Sequence, residues 1–412
     1  MTDASRAAAP TSSTERYQIL DVLRGFALLG VLIANLDELG GEGMTATAEQ
    51  LAMLSTAGFD QAVKRALELF VYGKANTLFA ILFGIGFWIQ MERLTARGVA
   101  FGSIYLRRIT ILAVFGTIHM LGWFSWDILH LYGLLAFALY FSRSLSDRAL
   151  LWIGGALLVL GKPVLTWAGA ELGWTQAGLD AAYTETEVMA RYAAAQSGDF
   201  IAYVGAMNKH IWLDWVLGGT LIAWFAYGLG RFYIGAWIAR KGWIQNAETH
   251  LPMVKKLTLP LLLSGLGLQI FTQEMSSYPA IAALAAPPLW LEILHNIATP
   301  LIAAGYVCAL IWLFFSASWK WLARPFAPVG QMALTNYLIQ SPFILLLLTN
   351  AGPGLGLAGH AGSAPFLMLS LGFFAVQVIA SRFWMKVFAY GPAEWVWRGL
   401  TYRSFPKIRR ER

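Results

Sequence analysis

Apolar runs of bilayer-spanning length recur along this chain, and polar residues gather between them. A helix that crosses a bilayer needs about 20 mostly apolar residues. By that measure the pattern predicts segments near 19–36, 66–90, 107–123, 128–141, 149–168, 212–237, 257–272, 290–315, 333–348 and 366–385. Segment 128–141 is short, and Pro260 is expected to interrupt 257–272. The fold class expected is all-α, a polytopic transmembrane helical bundle of about ten helices. Residues 1–18 read as a disordered lead, 19–390 as a single transmembrane domain and 391–412 as a basic tail. Two connections are long, 37–65 and 168–211. The second contains LDAAYTETEVMARYAAAQSGDFIAYV, whose composition and apolar spacing suit helix lying on a surface.

Charge gives these segments a direction. Lys and Arg collect in alternate loops: 1–18, 91–108, 142–148, 238–256, 316–332 and 386–412 hold 21 of the 30. The intervening loops hold only Lys64, Arg65, Arg191 and Lys209. Under the positive-inside rule both termini are cytoplasmic. Composition agrees: 58% of residues are hydrophobic, 13% are charged, and mean hydropathy is +0.57. The net charge of +7 does not indicate nucleic acid, because anionic lipid accounts for basic residues in short cytoplasmic loops. The single cysteine, Cys308, excludes a disulfide framework within the chain.

Sidedness sorts the candidate chemistry. His119, His130, His210 and His295 fall near the outer ends of segments, and His360 falls in an outer loop. The stretch His119-MLGWFSW-Asp127-IL-His130 is the densest polar site. Asp127 and His130 share a helix face, and His119 approaches them across the hairpin turn. A histidine oriented by a carboxylate is what proton abstraction from a hydroxyl or amine requires. The plainer reading is interfacial histidines bonded to backbone or lipid headgroups. No short ligand motif supports zinc, and no metal is expected. Asp21 and Arg24, three residues apart in the first segment, form an intramembrane pair expected to face the protein interior. Lys74 lies in the outer part of the second segment, near Glu68. Asn336, Tyr337, Gln340 and Ser341 make one late segment polar, with Asn336 and Gln340 on one face.

LDVLRGFALLGVLIAN, YGKANTLFAILFGIGF, GTIHMLGWFSWDIL, GQMALTNYLIQS and GPAEWVWRGLTYR resemble, in this order, the YeiB-like family of bacterial membrane proteins. That family in turn resembles transmembrane acyltransferases, including heparan-α-glucosaminide N-acetyltransferase. The shared feature is an early D-x-x-R-G helix, here Asp21, Arg24 and Gly25. The resemblance implies a multi-pass protein of the bacterial inner membrane. It implies a cytoplasmic acyl-CoA donor, acetyl-CoA foremost, an acceptor on the far side, and a histidine between them. In the N-acetyltransferase pattern that histidine closely follows the early helix. Residues 37–65 contain none, so the role passes to His119.

On this reading His119 and Asp127 perform the proton transfer and Lys74 stabilises the oxyanion. Asp21, Arg24, Arg107 and Arg108 meet the donor, while His130, His295, Asn336 and Gln340 serve the acceptor. Expected partners are membrane lipid, a small-molecule or glycan acceptor and a second copy of the chain. The competing reading is a transporter or exporter of a small amphiphile, using the same buried charges as a relay. An acyltransferase predicts a tunnel from the cytoplasm ending beside His119 and Asp127. A transporter predicts a midplane cavity between two pseudo-symmetric halves.

Overall fold

In a computed structural model of the chain, residues 17–410 are described, except 99, 283, 285 and 286. The lead expected at 1–18 therefore lies outside the described residues as far as 16. Among the described residues there are helices and no strand. The main elements are α1 (Gln18–Gly40), α2 (Ala57–Phe70), α3 (Lys74–Ala96), α4 (Phe101–Gly122), α5 (Leu129–Phe141) and α6 (Asp147–Glu171). They continue with α7 (Phe200–Ile211), α8 (Thr220–Arg240), α9 (Leu251–Ser277), α10 (Leu289–Phe315), α11 (Ala333–Leu348), α12 (Ser363–Val387) and α13 (Pro392–Tyr402).

Among the described residues, eight helices are long and apolar enough to cross a membrane, counting α2 and α3 as one. A ninth arises if Lys320–Gln331 and α11, bent by 85°, form one span, and α5 is a shorter apolar helix. The faces turned outward are apolar: Leu263 of α9 is 66% exposed and Met368 of α12 is 69% exposed. Water would not tolerate such faces on this scale, and a bilayer does. The protein is a multi-pass helical membrane protein.

Three boundaries differ from the hydrophobic pattern. α4 begins at Phe101, so Arg107 and Arg108 lie inside the helix. Residues 212–217 form a π-helical turn continuing α7, and the next span starts only at Thr220, after Gly218 and Gly219. α9 runs unbroken through Pro260. The carbonyl that proline leaves unpaired belongs to Lys256, in the exposed first turns of the helix, so the break costs little.

The interior is built by close helix approach. α9 packs on α10, α3 on α8 and α1, α4 on α5, and α13 on α4. At Gly25 of α1 a side chain would strike the backbone of Phe326, and at Gly330 it would strike the carbonyl of Asp21. Backbone therefore lies on backbone here, which brings Asp21 and Arg24 against the turn before α11.

The long connections fold into an outer cap. Residues 37–65 contain Ala48–Ala52 and the start of α2, while 168–211 contain Gln176–Ala182, Glu185–Gln196 and α7. The buried Arg191 guanidinium joins the two loops, donating to the carbonyls of Met44 at 2.7 Å, Gly43 at 2.8 Å and Ala182 at 3.0 Å.

Within this cap His210 is buried, 4.0 Å from Asp214, with the rings of Tyr183 and Trp126 edge-on to it. Burial, then the charge of Arg191, lowers its pKa from 6.5 to about 4. A depressed histidine pKa contributes stability that is present above the unfolded value and lost as pH falls through the folded one. The cap should therefore loosen between pH 6.5 and about 4, by about 3 kcal/mol at full effect. Asp214, raised by its own burial, titrates in the opposite sense. The informative measurement is thus thermal unfolding of the wild type against His210→Gln: the wild type should lose stability relative to the variant on acidification. Parallel curves would contradict this.

Candidate active site

The site begins with a tight hairpin. α4 ends when the N–H groups of Trp123 and Phe124 both return to the carbonyl of His119, at 3.2 and 2.9 Å. Asp127 follows just before α5, where its Oδ1 accepts the backbone N–H of His130 at 2.9 Å. An aspartate suits that place because it satisfies a free N–H and opposes the positive end of the helix. Gly116, one turn before His119, lies directly on α5: a Cβ there would collide with the backbone N of His130. This contact sets the spacing between His119 and Asp127. Gly116→Val should push the helices apart, cost about 1–3 kcal/mol and uncouple the pair. Thermal unfolding of the purified variant tests this, and an unchanged midpoint would contradict it.

The hairpin brings His119, Asp127 and His130 together in the interior. His119 is 1% exposed and Asp127 0%. His119 Nδ1 donates to Asp127 Oδ2 at 2.7 Å. His130 Nδ1 donates to Asp127 Oδ1 at 3.2 Å, and its ring packs on Trp215. The Tyr337 hydroxyl donates to Asp127 Oδ2 at 3.4 Å and accepts the N–H of Ile128 at 3.2 Å. Burial pushes the Asp127 carboxyl up, but the hydrogen bonds from His119 and His130 outweigh it and hold the group below its ordinary value. Asp127 is thus a carboxylate, which fixes the proton of His119 on Nδ1. The opposite nitrogen, Nε2, accepts from the hydroxyl of Ser341 on α11 at 2.7 Å.

A chamber of about 300 Å³ approaches this group from the end of the bundle that carries Tyr17 and Tyr402. Tyr17 and Tyr402, near the two ends of the described residues, both line it. The charge pattern assigns this side to the cytoplasm. Arg24, Arg93, Arg97, Arg108 and Arg398 line it, with Asp21 and Glu394 as the acids. Asp21 pairs with Arg24 at 3.1 Å. Glu394 accepts from the N–H groups of Leu334 and Thr335, at 2.7 and 3.2 Å, and so caps α11. Arg108 stacks on Trp397 at 3.6 Å from the ring centre. The walls include Phe79, Leu82, Phe83 and Phe87, and the inner end includes Leu112, Leu129, Tyr132 and Tyr337. Tyr337 therefore separates the chamber from Asp127 and His119.

On the other side of α11 runs an apolar groove lined by Trp123, Phe200, Leu338, Pro342, Leu345 and Leu346. Trp123 also packs edge-on against His119, 5.3 Å between ring centres. The two spaces share no lining residue.

Other residues singled out in the sequence lie elsewhere. Lys74 is buried, but its Nζ donates to the Glu68 carbonyl at 2.6 Å and to Gln269 at 3.4 Å. His295 joins that group through Gln269 and Thr272. Lys74 and His295 share Gln269 of α9 as a partner and make no bond to His119 or Asp127. Arg107 donates to the carbonyl of Thr401 at 2.8 Å, fastening α13 to α4, and does not line the chamber. Asn336 bonds Val329 and Ser381, and Gln340 bonds Gln377 and the carbonyl of Leu28. These amides join α11 to α12 and α1 and line neither the chamber nor the groove. Ser341, Glu394, Trp397 and Arg398 received no role from sequence reasoning. A serine one turn beyond Tyr337, before an intrahelical proline, was the available signal for the first.

A family described as a protein of unknown function, DUF418, matches residues 238–404. The chain is 30% identical over 416 residues to the uncharacterised protein YxaH of Bacillus subtilis (strain 168), with 97% of each chain covered. It is 29% identical over 423 residues to the uncharacterised protein YeiB of Escherichia coli (strain K12), covering 95% of this chain and 97% of that one. No solved structure matches it. With likeness running almost end to end in these relatives, the chain belongs to the DUF418 family, beside YxaH and YeiB.

Proposed function

We propose that the protein is an acyltransferase of the bacterial inner membrane, moving an acyl group from cytoplasmic acyl-CoA to an extracytoplasmic hydroxyl or amine. The observation that carries this reading is the run from arginine-lined chamber to buried histidine: Tyr337 closes the chamber and lies 3.4 Å from Asp127, which orients His119. Five guanidiniums around one partly enclosed space repel each other, and the charges of Arg398 and Arg24 both act on Arg108. A polyphosphate ligand relieves that repulsion and accepts paired hydrogen bonds. The apolar walls beyond suit a slender pantetheine arm. Behind Tyr337, His119 serves as general base, with Asp127 keeping the proton on Nδ1 so that Nε2 can accept another.

The test is thioester cleavage. Purified protein in detergent is given radiolabelled acetyl-CoA, and binding and CoA release are measured. Slow CoA release, or transfer to an added acceptor, is expected. Folded protein that neither binds nor cleaves acyl-CoA would defeat the reading and turn the search to transport of a small amphiphile.

A further inference from the structure

Several Ser and Thr side chains of the described residues turn back on their own helix. Ser264 donates to the carbonyl of Pro260, Thr258 to that of Val254 and Thr349 to that of Leu345. Ser341 instead reaches across to α4 and donates to His119 Nε2 at 2.7 Å. With His119 Nδ1 held on Asp127 at 2.7 Å, the three side chains form one continuous line, carboxylate to imidazole to hydroxyl. All three are nearly or fully buried. This is the arrangement that activates a serine oxygen, because the imidazole removes the hydroxyl proton as the oxygen attacks and the carboxylate stabilises the resulting imidazolium.

The position of Ser341 is equally informative. Tyr337, one turn nearer the cytoplasm on the same helix face, closes the arginine-lined chamber. Leu338, Pro342 and Leu345, which flank Ser341 on α11, line the outer groove. Ser341 thus lies on the partition between two spaces that share no wall. Direct transfer would need donor and acceptor to meet at one point with the partition open on both sides. A group held on the partition lets each substrate arrive separately.

We propose that Ser341 is a nucleophile that carries the acyl group as a covalent ester between the two spaces. This rests on the acyl-transfer reading. In the first half, Ser341 Oγ attacks the thioester carbonyl while His119 takes its proton. The C–S bond breaks, and the thiolate leaves as free thiol with that proton. In the second half, an acceptor hydroxyl or amine gives its proton to His119 as it bonds to the acyl carbon. The ester C–O bond breaks, and Ser341 Oγ regains the proton. Each half balances without a further reactant.

The experiment is acid-quenched incubation of the full-length protein with radiolabelled acetyl-CoA and no acceptor, followed by digestion and peptide mass mapping. The expected result is one acetyl group on the Ser341 peptide, absent from Ser341→Ala and from His119→Ala. CoA release should fall roughly a thousandfold in Ser341→Ala. Ser341→Cys should again accept the label, showing that the loss in Ser341→Ala is chemical. Undiminished CoA release by Ser341→Ala, or label found on His119, would overturn the proposal and leave acyl transfer standing. Wild-type protein that binds no CoA, despite a normal unfolding transition, would overturn both.

Discussion

His119→Ala should lower CoA release by about two to four orders of magnitude with little change in CoA binding. The first half of this expectation follows from the usual contribution of a positioned general base. The second follows from the geometry: His119 lies behind Tyr337 and does not line the chamber. Asp127→Asn should lose nearly as much. The amide would offer an N–H to His119, favour the other tautomer and leave Nε2 protonated, unable to accept from Ser341. It would also leave the donors of His130 and Tyr337 facing a neutral group, so some stability should be lost as well. Single-turnover thioester cleavage beside equilibrium binding separates the effects. If both variants keep wild-type single-turnover rates, the hairpin is only structural.

Removing guanidiniums from the chamber should have the opposite signature. Arg24→Ala and Arg108→Ala should each weaken CoA binding by about 1.5–3 kcal/mol, roughly ten- to a hundredfold in Kd. Bound CoA should still be cleaved at close to the normal rate, since neither residue touches Asp127 or His119. Wild-type affinity should also fall with salt more steeply than that of the variants, as phosphate contacts demand. Arg240→Ala is the control: Arg240 pairs with Asp147 at 3.1 Å and lies outside the chamber. If all three substitutions change affinity alike, the effect is net charge and the chamber is not the donor site.

Much of the architecture was legible because a bilayer imposes simple rules on composition. Apolar runs marked the spans and basic residues marked their ends. The pairing of His119 with Asp127 was legible for a different reason: they are eight positions apart, and a hairpin leaves them few alternatives. Residues joined from afar were not legible. Ser341 is 222 positions from His119, and Gln269 is 195 positions from Lys74. Depth in the membrane can be estimated from sequence, but rotation about the helix axis cannot. Arg107 and Arg108 illustrate this: adjacent residues on a helix point about 100° apart. One faces the chamber and the other fastens α13. Asn336 and Gln340 on α11 show a related limit, since helix-joining and cavity-lining amides have the same local pattern. The role of α13 was hidden because its Glu394 acts on the start of another helix.

The partition formed by Tyr337, Ser341 and Trp123 also bears on bioenergetics. A membrane that stores energy as a proton gradient loses it through any path that conducts protons. Here Tyr337 lines the inner space and Trp123 the outer one, with the buried side chains of His119, Asp127 and Ser341 between them. Chemical groups would cross by bond exchange at a sealed wall, while the wall keeps its electrical resistance.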